Sequence, residues 1–177
     1  MDSDLLSHIL QDLGLPENYG EKRRLHFCEE AKVLVKIGLN PYGKTIYLEP
    51  DTAKAWEKMK EAALKENIEL LPLSGFRSIR TQAEIIRMKL ESGRSLDDIM
   101  TANAPPGYSQ HHTGRALDIC TPGFIVPEKD FAQTPAFQWL TIHAQKFGFI
   151  MSYPVNNPEG FIYEPWHWYF VPSDRIV

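Results

Sequence analysis

The sequence predicts an α+β fold: a small, mostly antiparallel sheet flanked by helices. Three observations carry this. Runs rich in β-forming residues at positions 32–37 and 44–48 flank Asn40-Pro41-Tyr42-Gly43, the residue types a tight hairpin turn demands. Further strand-like runs, 149–153 and 161–170, follow one another in the C-terminal part of the chain. Helical periodicity is confined to a few separate segments, so strands and helices come in mixed order rather than the strict alternation of a parallel sheet. With 177 residues, 43% of them hydrophobic, the chain can bury a core without a disulfide or an oligomer, and a single compact domain and a monomer are expected.

In chain order, residues 4–13 have the spacing of a short amphipathic helix that Gly14 and Pro16 end, and the polar stretch 17–24 leads into the body of the protein. Residues 1–30 are therefore expected to form an N-terminal helical extension, with the main domain at 31–177. After the hairpin, Asp51 is a suitable N-cap for a helix in which Trp56, Met59, Ala63 and Leu64 share one face as far as Glu66. Residues 68–73 form an apolar run, a buried strand that delivers Ser74-Gly75-Phe76-Arg77-Ser78 to its end; a helix then starts near Ser78 and stops at Gly93. Ser95 with Asp98 three positions on makes a capping-box pattern, and Ala104-Pro105-Pro106-Gly107-Tyr108 is an irregular loop. Residues 115–119 form another strand, and Thr134-Pro135 opens a helix that Gly148 closes. Trp56 and Trp139 belong to the core.

Charge and hydropathy remove several functions. A formal net charge of −4 with no basic run offers no electrostatic footprint for a nucleic acid. No apolar stretch approaches the roughly 20 residues a membrane-spanning helix needs. The first residues carry acids where a secretory leader carries bases, so the chain as written is expected in the cytoplasm, and in the periplasm or cell wall if a leader has been removed. Cys28 and Cys120 are expected as free thiols.

Two knots of polar residues stand out. The first is Ser109-Gln110-His111-His112-Thr113-Gly114-Arg115-Ala116-Leu117-Asp118, directly after the proline loop; the second is Glu164-Pro165-Trp166-His167-Trp168. A hydrolytic zinc site needs three imidazole or carboxylate ligands and an open position, which His111, Asp118 and His167 can supply. Glu164 is the candidate general base; Pro165 biases it to an extended conformation and argues against a continuous helix there. On chemistry alone these residues fit equally well a set of ordinary hydrogen-bonded histidines and solvated acids, because Asp118 and His167 lie 49 positions apart and only a fold brings them together. His112 stands beside His111 as a second imidazole, and the spacing favours His111. His8, His26 and His143 carry no assigned role, and the isolated pair His26-x-Cys28 is weak evidence for a soft metal.

The ordered set Ser109-x-His111-x-x-Gly114-x-Ala116-x-Asp118, then Glu164-x-x-His167 within Glu-Pro-Trp-His-Trp, resembles the zinc D-alanyl-D-alanine carboxypeptidase and dipeptidase family of VanY-like and VanX-like enzymes. Ser74-Gly75-Phe76-Arg77-Ser78, Gln82 and Pro106-Gly107-Tyr108 match the same family's motifs in order, and the resemblance covers residues 37–171. It implies zinc held by His111, Asp118 and His167, with Glu164 as base. Arg77 would bind substrate and stabilise developing charge, which suits a planar guanidinium that grips oxygen pairs. Gln82 and Ser109 would hydrogen-bond the substrate peptide, with Tyr108 and Trp166 as walls. The implied fold is that of the hedgehog signalling domain and the D,D-peptidases, and the implied partner is a peptidoglycan stem peptide or a precursor containing D-Ala-D-Ala. Residues 155–160 lack the lysine and threonine usual in VanY-like chains, and Trp168-Tyr169-Phe170 replaces a segment that often carries arginine.

The expected activity is hydrolysis of the terminal D-Ala-D-Ala bond of a stem peptide. Within the class the alternatives are a D-Ala-D-Ala dipeptidase and a peptidoglycan endopeptidase. From another class comes a non-catalytic binding module on the same zinc fold. The presence of Glu164 argues against that last reading, because zinc ligands without a proton acceptor are closer to a structural site.

Overall fold

The computed structural model describes residues 3–172, so the outer ends of the two expected segments, 1–2 and 173–177, lie outside the described residues. Helix α1 (Ser3–Asp12) and the single turn α2 (Tyr19–Lys22) precede a hairpin of β1 (Val35–Leu39) and β2 (Thr45–Leu48). Helix α3 (Pro50–Lys65), strand β3 (Leu71–Ser74), helices α4 (Ile79–Glu91) and α5 (Leu96–Ala102), strand β4 (Ala116–Cys120) and helix α6 (Pro135–His143) follow, and β5 (Phe149–Met151) and β6 (His167–Phe170) close the fold. Short 3-10 turns stand at Gln110–Thr113, Lys129–Gln133 and Ala144–Phe147.

The hairpin forms where the turn residues predict it. The Asn40 side-chain oxygen accepts from the backbone N–H groups of Tyr42 and Lys44, and Gly43 takes φ 78°, a conformation that favours glycine. The hairpin is a separate two-stranded sheet; the main sheet has four strands in the order β3-β4-β6-β5, every pair antiparallel. A backbone bond from Phe76 N–H to Tyr47 O, 2.8 Å, ties the two sheets together.

Strand β4 is buried along its whole length. Leu117 and Ile119 join the main core with Trp56, Met59 and Ala63 of α3, Trp139 and Leu140 of α6, and Trp168 of β6. Successive side chains alternate across a strand, so Asp118 faces the other side. There, Ser74 pairs with Asp118 and Asp118 pairs with His167 across adjacent strands. That register closes the 49-residue gap in the sequence. A second core joins Leu10, Leu13 and Leu15 to Ala83 and Ile86 of α4 and to Ile99 and Met100 of α5, so the N-terminal segment is packed against the helices that border the site.

Several local expectations change. The first cap of α3 is Glu49, whose carboxylate accepts from Thr52 N–H at 3.1 Å, with Pro50 in the first turn; Asp51 lies inside the helix instead. The run 161–170 is strand only from His167 onward, because Pro165 occupies the second position of a turn closed by His167 N–H to Glu164 O at 3.1 Å. The last helix is α-helical to His143 and then tightens into a 3-10 turn before Gly148, φ 82°. Ser78 and Ser95 cap α4 and α5 as expected, and both cysteines are free.

Candidate metal centre

Three elements carry the centre: the 3-10 turn Gln110–Thr113 supplies His111, β4 supplies Asp118, and the Pro165 turn delivers His167 to the start of β6. The three side chains are buried, and one candidate ligand atom from each lies within 4.8 Å of the others. His111 Nε2 stands 3.4 Å from Asp118 Oδ2, and His167 Nδ1 stands 3.0 Å from Asp118 Oδ1.

The far nitrogens decide what those near atoms can do. His111 Nδ1–H donates to Gly75 O at 2.7 Å, and His167 Nε2–H donates to the Gln110 side-chain oxygen at 2.9 Å, which also accepts from Ser152 Oγ–H at 2.7 Å. With those outer nitrogens committed, His111 Nε2 and His167 Nδ1 face the Asp118 carboxylate. Two imidazole nitrogens and a carboxylate converging at these distances are a donor set that fits a metal ion. Burial lowers the His111 pKa below the ordinary imidazole value despite the nearby Asp118, which favours the neutral ring that a metal ion binds. Burial pushes the Asp118 carboxyl up, but in the metal-free protein positive charge and hydrogen bonding from the two facing imidazoles outweigh it and hold the group well below the usual carboxylate range. Tyr153 stacks on the His167 ring at a centroid distance of 4.9 Å and holds its plane.

Glu164 sits three residues before His167 across the Pro165 turn, 8% exposed. Burial, against the pull of His167 and with the help of Asp118, raises its carboxyl from 4.5 to about 7, the range of a group able both to take and to release a proton near neutrality. A cleft of about 300 Å³ joins Glu164 to the triad and is also lined by Arg77, Gln82, Ser109 and Trp166.

Arg77 leaves β3 just before α4. Its guanidinium donates to Gln82 Oε1 at 2.7 Å and to Ser74 Oγ at 3.4 Å, both neutral partners. Gln82 is fully engaged: its amide N–H donates to Ala104 O at 2.7 Å, so it orients Arg77 and the proline loop at once. His112 turns away from the triad. Its Nδ1–H donates to Arg77 O at 2.6 Å, its Nε2 accepts from Gly107 N–H at 3.2 Å, and burial lowers its pKa to about 4. It is a neutral clip between the Arg77 turn and the proline loop. Tyr108 is not brought to the cleft: its ring packs on Gly20, where an added Cβ would lie 2.1 Å from it, and edge-on to Phe27. Gln110 and Ser152 were not singled out by their sequence context, since a glutamine between two motif residues carries no signature of its own.

Two imidazoles and a carboxylate able to hold a metal ion, with a buried acid and an arginine in the same cleft, are the residue set of a metal-dependent hydrolase on an antiparallel sheet. The chain belongs to the VanY family of D-alanyl-D-alanine carboxypeptidases, whose family model matches residues 45–173. It is 37% identical over 178 residues to the putative carboxypeptidase YodJ of Bacillus subtilis, a match covering 95% of this chain and 60% of that protein. The chain thus spans about 60% of the length of that curated relative. The solved LdcB LD-carboxypeptidase is similar at 34% identity and TM-score 0.72, covering 80% of this chain and 69% of that one. The vancomycin-resistance D,D-pentapeptidase VanY in complex with Zn(II) is similar at 25% identity and TM-score 0.62, covering 80% of each chain.

Proposed function

We propose that this chain is a zinc-dependent D,D-carboxypeptidase that hydrolyses the terminal D-Ala-D-Ala bond of peptidoglycan stem peptides. The observation that carries it is the convergence of His111, Asp118 and His167 beside the raised carboxyl of Glu164. In this reading residues 31–177 form the catalytic domain and 1–30 a helical segment added to it. His111, Asp118 and His167 hold zinc, which when bound makes water more acidic and a neighbouring carbonyl more electrophilic.

The chain's own residues do the rest. A Glu164 carboxylate oxygen takes the proton of the attacking water and passes it to the leaving amine nitrogen, so the group ends the cycle as it began. Arg77, held in place by Gln82 and Ser74, offers its guanidinium N–H groups to the substrate oxygen that gains charge. Ser109 and Trp166 line the space the peptide enters. The similarity to LdcB favours a second reading, an L,D-carboxypeptidase that removes the last D-alanine from a tetrapeptide.

Mass spectrometry of the zinc-loaded protein with an equimolar mixture of free D-Ala-D-Ala, an acylated pentapeptide ending in D-Ala-D-Ala and the matching tetrapeptide tests both. Loss of one alanine from the pentapeptide alone is the expected result. Consumption of the tetrapeptide alone would establish L,D-carboxypeptidase activity, consumption of the dipeptide alone a dipeptidase, and no cleavage would point to an endopeptidase or a binding module.

A further inference from the structure

Lys89 lies in the same cleft as the triad and takes no part in the chemistry above. It is on α4, seven positions after Gln82, which places it two turns further along the helix, roughly 10 Å of axial rise. Helical side chains lean toward the helix N-terminus, so the Lys89 stem leans back toward Gln82 and Arg77. Its ammonium donates to Asn103 Oδ1 at 2.9 Å, and Asn103 is buried and anchored by its own amide on Ile99 O at 2.8 Å.

The charge pattern of this wall is unusual. Among the described residues no carboxylate lies within 4.0 Å of Lys89 or of Arg77. Two cations thus share a small cleft, each held only by neutral oxygen, when the ordinary way to keep a half-buried ammonium is to pair it. Arg77 bonds Ser74, whose strand position pairs with Asp118, and so stands beside the triad. Lys89, anchored on Asn103 and two helical turns beyond Gln82, lines the same cleft from further along α4. A second positive charge with no carboxylate within ion-pair distance thus lies in the cleft apart from the triad, open to the end of a bound peptide.

We propose that Lys89 forms, with Asn103 as its anchor, a subsite for the free C-terminal carboxylate of the peptide, and so selects chain ends over internal bonds. The proposal rests on the carboxypeptidase reading above and names the group that makes such an enzyme an exopeptidase. A leaving residue one position long carries its carboxylate roughly 3.5 Å of extended chain beyond the scissile bond. An internal bond presents a neutral amide at that point and leaves the ammonium without a counter-charge, a loss that disfavours its binding.

The test compares an acylated, side-chain-blocked Lys-D-Ala-D-Ala, whose C-terminal carboxylate is its sole acid, with its C-terminal amide, using zinc-loaded wild-type protein, Lys89→Met and Lys89→Arg. For wild type, kcat/KM on the acid exceeds that on the amide at least tenfold. Lys89→Met raises KM on the acid at least tenfold with kcat within about threefold and brings the acid-to-amide ratio close to one. Lys89→Arg, which keeps the charge, stays within about threefold of wild type on the acid. Equal losses on acid and amide, a fall in kcat alone, or a Lys89→Met variant with unchanged KM would overturn the proposal. The thermal midpoints of the variants separate a folding defect from a binding one: Lys89→Arg with a wild-type midpoint but the Lys89→Met kinetics also contradicts it. Cleavage of neither peptide by wild type strikes the carboxypeptidase reading itself, and the subsite with it.

Discussion

Each imidazole of the triad is fixed through its outer nitrogen, His111 by a backbone carbonyl and His167 by Gln110. The consequence at the scale of single residues is that the ligands are aligned before any ion arrives. Removing His167 takes away one of the three proposed ligands and the hydrogen-bond partner of Asp118. His167→Ala is expected to lower zinc occupancy at least tenfold in a chelator competition, while Glu164→Gln leaves it unchanged. Full occupancy in His167→Ala would contradict the ligand assignment. These side chains were legible in the sequence through the ordered motif they share with VanY-like enzymes, since on chemistry alone they fit ordinary hydrogen-bonded histidines and solvated acids equally well. Gln110 was not, since its amide has meaning only when β6 brings His167 beneath it. Tyr108 shows the opposite failure: its place beside the motif suggested a wall of the site, but the loop turns its ring onto Gly20 and Phe27 of the N-terminal segment.

At the scale of elements, the 3-10 turn that bears His111 is held at its end by Gly114. That residue takes φ 67°, its carbonyl accepts from Glu49 N–H at 2.9 Å, and a Cβ there would lie 2.9 Å from the same nitrogen. No side chain fits this contact without moving either the ligand turn or the start of α3. Gly114→Ala is expected to cost about 1–3 kcal/mol in urea unfolding and to weaken zinc binding together with it. A variant with wild-type stability and wild-type affinity would contradict that coupling. The Pro165 turn is a second such device: it ends what reads as one long strand, and the three-residue step across it puts Glu164 beside His167. Strand and helix identities were legible from periodicity and turn residues, but their ends were not. Glu49 caps α3 although Asp51 is the residue type more often found there, because Pro50 already fits the first helical position.

At the scale of the whole molecule, the four-stranded sheet divides the fold into a packed core on one face and the cleft on the other, and the N-terminal segment buries Leu10 of α1 and the following Leu13 and Leu15 against the helices bordering that cleft. Among the described residues, no helix is long and apolar enough to cross a membrane. The antiparallel class could be read from the sequence; the register pairing Asp118 with both Ser74 and His167 could not, because pairing between distant strands leaves no local signal. The buried Glu164 ties global stability to pH. Its carboxyl is raised from 4.5 to about 7, so between those values the unfolded chain sheds a proton that the folded, metal-free protein keeps. Stability therefore falls as pH rises through that window, by roughly 3 kcal/mol in all, and is flat on this account above it. Metal-free Glu164→Gln lacks this loss, so its unfolding free energy should gain on wild type from pH 4.5 to 7 in urea titrations. A difference that does not vary with pH would contradict the burial of the charge.

The central claim is that one site holds zinc through His111, Asp118 and His167 and moves the reaction's proton through Glu164. Zinc content and D-alanine release from the acylated pentapeptide, measured on the same samples of wild type and Glu164→Ala, test it most directly. About one zinc per chain is expected in both, with at least a thousandfold slower release in the variant. Near-normal release by Glu164→Ala, or loss of zinc along with the activity, would contradict it.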